Sequence, residues 1–103
     1  MRSSCKVSPC CGTKRKFPLG YVVATPAALA AISAAGQSTH DFLVRHVHCD
    51  WGDVGEEDRR ANEEALRTGE RLLSVYRTKR GLKVWVLTEA DRSATTILLP
   101  HEY

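Results

Sequence analysis

The C-terminal part of the chain constrains the fold most strongly, because three short apolar runs follow one another with a turn between each pair. The runs span Leu72 to Thr78, Leu82 to Thr88 and Ser93 to Leu99. Runs of this length that are rich in β-branched and aromatic residues and separated by short polar turns are typical of antiparallel hairpins. We therefore predict a β-meander that ends before Pro100.

The middle run predicts a central strand with apolar surface on both faces. Its residues alternate between two sides, with Leu82, Val84 and Val86 on one and Lys83, Trp85 and Leu87 on the other. Because side chains in a strand point alternately to opposite faces, helices that pack on one side of the sheet cover only one of these two sets. We predict that Trp85 marks a partner surface on the face that the helices leave open.

Three helices are predicted ahead of the meander. After a short strand from Leu19 to Ala24, Thr25-Pro26 provides an N-cap hydroxyl and a proline at the first helical position, and Gly36 ends this helix. A second helix begins after Ser38, and a third runs to Thr68 from a start that resembles a capping box with Asp53 as the cap. The predicted fold class is α+β, with three helices packed on a three- or four-stranded, mainly antiparallel sheet.

Composition indicates one small globular domain preceded by a basic extension. The chain has 103 residues, of which 43% are hydrophobic and 26% charged, and these values are typical of a single domain. Residues 1–16 contain five basic residues and no acid, whereas the remainder holds 10 bases against 12 acids. We predict a flexible basic N-terminal extension at 1–16 and a single α+β domain at 17–103. Nucleic-acid binding is only weakly favoured, because the cations lie in the extension rather than on the domain.

Cysteine usage and hydropathy predict a cytoplasmic protein. Three cysteines lie in the extension and only Cys49 lies in the domain, which is not the spacing of a structural zinc site or of a disulfide framework. No apolar run reaches the length of a membrane span, since the Ala-rich stretch from Ala24 to Ala35 is interrupted by polar residues and a proline. We predict reduced thiols and no membrane partner.

One short segment concentrates residue types that bind transition metals. The weak candidates for metal ligands are His46, His48, Cys49 and Asp50. On a helix, residues two apart point to opposite sides, so His46 and His48 cannot share an ion unless the helix has ended. The alternative is structural, with His46 half-buried on a helix, Asp50 in a turn and Cys49 in the core. We therefore predict no metal and no cofactor.

Two polar loops and one strand supply the candidate binding residues, which are Trp51, Asp53, Trp85, Glu89, Asp91 and Arg92. Trp51 with Asp53 would form an aromatic platform beside acidic residues, unless Trp51 anchors the core. The Glu89 to Ser93 hairpin loop would present two carboxylates and a guanidinium close together. Its structural alternative is a turn in which Asp91 accepts backbone hydrogen bonds and Arg92 pairs with Glu89 or the acidic helix.

Several runs together resemble a known group of sequences. The runs are FPLGYVVATPAAL, DWGD, EED, an asparagine in the following helix, LLSVYRT, KVWVLTEADRS, TTILLP and a final EY. They are similar to small hypothetical proteins of about one hundred residues carried by bacterial plasmids and integrative elements. The similarity covers 17–103 and implies a mobile-element accessory protein, with 1–16 outside the shared domain.

Three hypotheses for function follow from these observations. The first is a non-enzymatic protein-binding adaptor or inhibitor that uses the sheet face around Trp85. The second is a small metal-dependent or acid–base enzyme that uses His46, Asp50 and Glu89, although no nucleophile with an adjacent base can be identified. The third is a nucleic-acid-binding accessory protein that uses the basic extension.

Overall fold

The computed structural model describes residues 17–103, and the extension predicted at 1–16 lies outside the described residues. Within these residues, three helices and four strands form the α+β fold that the sequence predicts, and a short 3-10 turn spans Pro100–Glu102. In chain order the elements are β1 (Tyr21–Ala24), α1 (Pro26–Ala34), α2 (Thr39–Val47), α3 (Glu56–Thr68), β2 (Leu72–Arg77), β3 (Lys83–Thr88) and β4 (Ala94–Leu98).

The sheet has the strand order β1-β4-β3-β2, so the predicted meander is present and β3 is an interior strand. The β2–β3 and β3–β4 pairs are antiparallel, with Val75 opposite Trp85 and Val86 opposite Ile97. β1 is parallel to β4, and three helices separate β1 from the meander in the sequence. β1 and β2 are therefore the two edge strands.

Local capping explains where the helices begin, and it corrects one prediction. The Thr25 hydroxyl accepts a hydrogen bond from the Ala28 amide at 3.1 Å, and Asp41 accepts one from the Ser38 amide at 3.1 Å, so α1 and α2 begin as predicted. α3 begins after Gly55 instead of using Asp53 as its cap. The Asp53 carboxylate pairs with Arg77 at 2.8 Å and so holds the loop against β2.

The two faces of the sheet differ in what covers them. The inner face meets the helices and holds Leu72, Ser74, Tyr76, Val84, Val86, Thr88, Thr95 and Ile97, all nearly inaccessible. The outer face, formed by Leu73, Val75, Trp85, Leu87, Thr96 and Leu98, points away from the three helices. Leu87 and Leu98 on this face are nevertheless buried, whereas the other four are partly exposed. Leu82 is a correction to the predicted alternation, because it precedes β3 and is 52% exposed.

Two apolar clusters fill the space between the helices and the inner face. The first contains Phe17, Val47, Cys49, Trp51, Ala65 and Leu72. The second contains Ala28, Ile32, Phe42, Tyr76, Val84, Val86 and Ile97. Along β2 the inner positions are Leu72 of the first cluster, then Ser74, then Tyr76 of the second, so a polar position separates the clusters on this strand. None of the helices within 17–103 is long and apolar enough to span a membrane.

Candidate functional site

The outer face combines apolar and aromatic side chains that the helices do not cover. Leu73, Val75 and Trp85 are each half-buried there, and the Tyr103 ring lies 5.6 Å from the Trp85 ring. Tyr103 is itself 65% exposed, and its hydroxyl accepts a hydrogen bond from Arg71 at 2.6 Å. Aromatic side chains that are partly exposed beside aliphatic ones are typical of protein contact surfaces.

Charged side chains border this apolar surface. Arg71 lies 3.7 Å from Glu89, and Arg77 pairs with Asp53 at 2.8 Å. Lys83 stands opposite Arg77 in the β2–β3 register and forms no ion pair with another residue of 17–103. The end of the outer face nearest the β2–β3 turn is therefore positive, with Lys83 available to an anionic group.

Trp51 lies in the core rather than on a surface. Only 3% of it is exposed, its indole N–H donates to Glu63 at 3.0 Å, and Phe17 stacks on it with ring centroids 6.4 Å apart. The interpretation of Trp51 as a core anchor therefore matches its position. Trp51 therefore does not provide the exposed aromatic platform that was one of the two predictions for it. Asp53 lies at the border of the outer face.

The Glu89 to Ser93 loop uses its polar groups to fix its own shape. Asp91 accepts a hydrogen bond from the Ser93 amide at 3.0 Å, and hydrogen bonds from Ser93 lower the pKa of Asp91. Arg92 has a left-handed φ of 61°. Its guanidinium donates to the backbone carbonyl of Ala65 in α3 and to that of Glu70, which follows α3. It also donates to the carbonyls of Glu89 and Ala90 in the loop itself. Arg92 thus ties α3 to the β3–β4 turn.

His46 is the most unusual polar residue of the domain, because it is fully buried and both ring nitrogens are hydrogen-bonded. Nδ1 lies 2.5 Å from the Ser74 hydroxyl, and Nε2 lies 2.9 Å from the Thr88 hydroxyl. The chain of hydrogen bonds continues from Thr88 to Thr95 at 2.8 Å and from Thr95 to the Leu19 carbonyl at 2.8 Å.

The direction of each hydrogen bond in this chain follows from its last member. A carbonyl only accepts, so Thr95 donates to Leu19, and Thr88 must donate to Thr95. The Thr88 oxygen then accepts from Nε2–H of His46, which leaves Nδ1 to accept from Ser74. Burial, with a smaller contribution from Arg92, lowers the pKa of His46 to about 3, so the imidazole is neutral at physiological pH.

The candidate metal ligands are engaged separately. His46 is held by two hydroxyls, His48 Nδ1 donates to the Val44 carbonyl at 2.8 Å, and Asp50 accepts from Arg45 at 2.7 Å. Cys49 is a buried thiol of the first cluster. Within residues 17–103, no three His, Cys, Asp or Glu side chains are grouped so that they could hold a metal ion.

The residues suggested for acid–base chemistry also have different partners. Asp50 pairs with Arg45 and Glu89 lies beside Arg71, both at the surface, whereas His46 is closed off from solvent. A general base must reach the proton that it removes, so a fully buried imidazole between two hydroxyls does not fit this role. The geometry therefore favours a structural role for His46.

Sequence reasoning missed the buried polar chain, although a signal for it exists. Ser74, Thr88 and Thr95 occupy inner-face positions where the strand alternation otherwise places large apolar residues. Asn62 is a second buried polar side chain with backbone partners. Its amide donates to the Leu73 carbonyl at 2.7 Å and accepts from the Leu73 amide at 3.0 Å, on the edge of β2.

Comparison with known proteins gives no relative of this chain. No protein-family model, no curated protein and no solved structure matches it.

Proposed function

We propose that this protein is a non-enzymatic binding module that contacts a protein partner with its outer face. The observation that carries the proposal is the half-buried Trp85 at the centre of a sheet face that the helices leave uncovered. Tryptophan in such a setting often dominates binding energy, because it removes a large apolar area from water while its N–H retains a hydrogen bond.

The borders of the outer face favour a particular kind of partner. Apolar residues of β2 and β3 would meet an apolar patch, and Lys83 would meet a carboxylate on the partner. A partner with acidic residues opposite Lys83 therefore complements this face better than a partner with basic residues there. The resemblance to plasmid and integrative-element proteins supports an accessory protein that is encoded by a mobile element and acts in the cytoplasm as an adaptor or inhibitor.

The test first identifies the partner at the proposed surface. A photo-crosslinking amino acid at position 75 is expected to capture one protein in cells, whereas the same residue at Val44, which is 40% exposed on α2, is not. The captured protein is then purified, and its affinity for variants is measured by calorimetry. Trp85→Ala should weaken binding at least about tenfold, as expected for an aromatic anchor.

Two controls separate binding from folding. Lys83 is exposed, so Lys83→Glu should leave the circular dichroism spectrum unchanged and weaken binding more at low salt than at high salt. Val44→Lys should leave affinity unchanged. If the Trp85 and Lys83 variants bound the partner with the same affinity as the native protein, the proposal would be contradicted. Capture of nucleic acid instead of protein would also contradict it.

A further inference from the structure

β1 presents an open strand edge. The amides of Tyr21 and Thr25 donate to the Ser93 and Ile97 carbonyls of the β4 side, each at 3.0 Å. Backbone groups alternate in direction along a strand, so Val22 and Ala24 point their N–H and C=O groups away from β4. Tyr21, Val22 and Val23 are 82%, 44% and 50% exposed, so nothing within 17–103 covers this edge closely.

The opposite edge of the sheet is occupied at two successive outward-pointing residues, Leu73 and Val75. On β2, both backbone groups of Leu73 are bonded to the Asn62 side chain. The next outward-pointing residue, Val75, donates to the Trp51 carbonyl at 2.9 Å and accepts from the Asp53 amide at 2.6 Å. A side-chain amide and a loop thus occupy the positions where another strand would add.

Apart from its short length of four residues, β1 lacks the features by which proteins protect exposed edges. Such edges commonly carry lysine, proline or a bulge, which prevent a further strand from pairing. Tyr21–Ala24 contains neither charge nor proline, and it pairs with β4 in an uninterrupted register. β1 therefore differs from β2, because its outward-pointing backbone groups are not occupied by another part of 17–103.

We propose that two copies of the chain pair through β1 in antiparallel orientation, about a two-fold axis that passes beside Val23. In this register Val22 of one copy exchanges both backbone hydrogen bonds with Ala24 of the other, and every outward-pointing group of the strand is used. The two Val23 side chains meet as a non-hydrogen-bonded pair, in which side chains approach closely.

Three observations select a second copy over an unrelated strand. The free groups at Val22 and Ala24 are placed symmetrically about Val23, so the edge is complementary to itself. β1 is uncharged, and self-pairing therefore brings no like charges together within the strand. Because β2 is closed, association ends at two copies. The inference is independent of the proposed function, since Trp85 and Lys83 lie outside β1.

The test is sedimentation velocity over a concentration series of the full chain. The pairing strand is short, so we expect a weak dimer with a Kd on the order of 100 µM. Val22→Pro removes only an outward-pointing N–H and leaves the bonds to β4 intact, and Val23→Lys places two cations at the axis. Each should weaken the dimer at least about tenfold, whereas Val44→Lys on α2 should not. Circular dichroism checks that each variant is folded.

Hydrogen exchange gives a readout at the level of single residues. The amides of Val22 and Ala24 should exchange more slowly as concentration rises, while that of Val23 is protected at every concentration. A protein that stays monomeric up to millimolar concentration would overturn the inference, as would a foreign strand that takes this edge in its place. A dimer that survives both β1 substitutions would also overturn it, because the copies would then meet elsewhere.

Discussion

Asn62 shows how one side chain can close the edge of a sheet. Its buried amide satisfies both the N–H and the C=O of Leu73, as a neighbouring strand would. The amide group is suited to this because it carries a donor and an acceptor side by side. A leucine of similar size at position 62 would leave both backbone groups unpaired.

Asn62→Ala should therefore lower the free energy of unfolding by about 2 kcal/mol, since it leaves buried backbone groups unsatisfied. Urea denaturation measures the change. Arg60→Ala is the control on the same helix, because its ion pair with Glu56 is exposed to solvent and should contribute little to stability. Equal stability of the two variants would show that water replaces the amide without cost.

At the scale of elements, much of the fold can be predicted from sequence. The alternation in β3 and the turns on either side of it define the meander, and Thr25-Pro26 defines the start of α1. The neighbour of β1 cannot be predicted, because pairing with β4 or with β2 buries the same kind of apolar strand. The start of α3 is also missed, since Asp53 forms a distant ion pair with Arg77 instead of a local cap.

The candidate site is less predictable than the elements for a related reason. Trp85 follows from alternation within one strand, which is local. Whether Trp51 and Arg92 face solvent depends on contacts with Phe17 and α3 that are distant in sequence. Their polar groups serve the interior, a use that the loop composition alone does not distinguish from binding.

The loop that closes β2 depends on a glycine at its closest approach to the sheet. Gly52 has a φ of +77°, and a Cβ there would lie 2.1 Å from the Val75 carbonyl oxygen and 2.6 Å from the Tyr76 ring. Gly36 has a similar φ of +72° but nothing within 4 Å of such a Cβ. The two glycines therefore separate the cost of backbone conformation from the cost of contact.

Gly36→Ala should cost about 1 kcal/mol, the conformational term alone. Gly52→Ala should cost roughly 3 kcal/mol or more, because the Trp51 to Asp53 segment must also move away from β2. Thermal unfolding of both variants measures the difference. Equal costs would mean that the loop shifts freely and that its hydrogen bonds to Val75 contribute little.

At the scale of the whole molecule, His46 connects several parts of the chain through buried side-chain hydrogen bonds. Its hydrogen bonds link α2 to β2 and β3, and through Thr95 to β4 and Leu19. Its ring also lies edge-on to Phe17 and Trp51 at centroid distances of 5.1 and 5.8 Å. Protonation of this one residue would therefore disturb both the buried hydrogen bonds and the first apolar cluster, to which Phe17 and Trp51 belong.

The pKa of His46 predicts how stability depends on pH. Since the pKa falls from 6.5 in the unfolded chain to about 3 in the folded one, the unfolded chain binds the proton first as pH falls. The contribution of the neutral His46 ring to the free energy of unfolding is therefore fully present above pH 6.5. It is lost as pH falls from 6.5 to 3, at about 1.4 kcal/mol per pH unit. Between pH 6 and 5 most carboxylates remain ionised, so histidines dominate the pH dependence there, and comparison of variants identifies the part that His46 contributes.

Denaturation at several pH values should show this slope in the native protein and a smaller slope in His46→Gln. His40 is exposed, so His40→Gln should retain the native slope. The nitrogen chemical shifts of His46 should identify a neutral ring with its proton on Nε2. A protonated ring at pH 6 would contradict the assignment.

The chain of hydrogen bonds from Ser74 to Leu19 also limits which substitutions this sequence can accumulate during evolution. An aliphatic side chain at position 46 would leave the hydroxyls of Ser74 and Thr88 without their acceptor and donor in a dry interior. Single replacements are then costly, while joint replacement by apolar residues of matching volume is tolerated. Homologous proteins without a histidine at position 46 should therefore also lack the hydroxyls at positions 74 and 88.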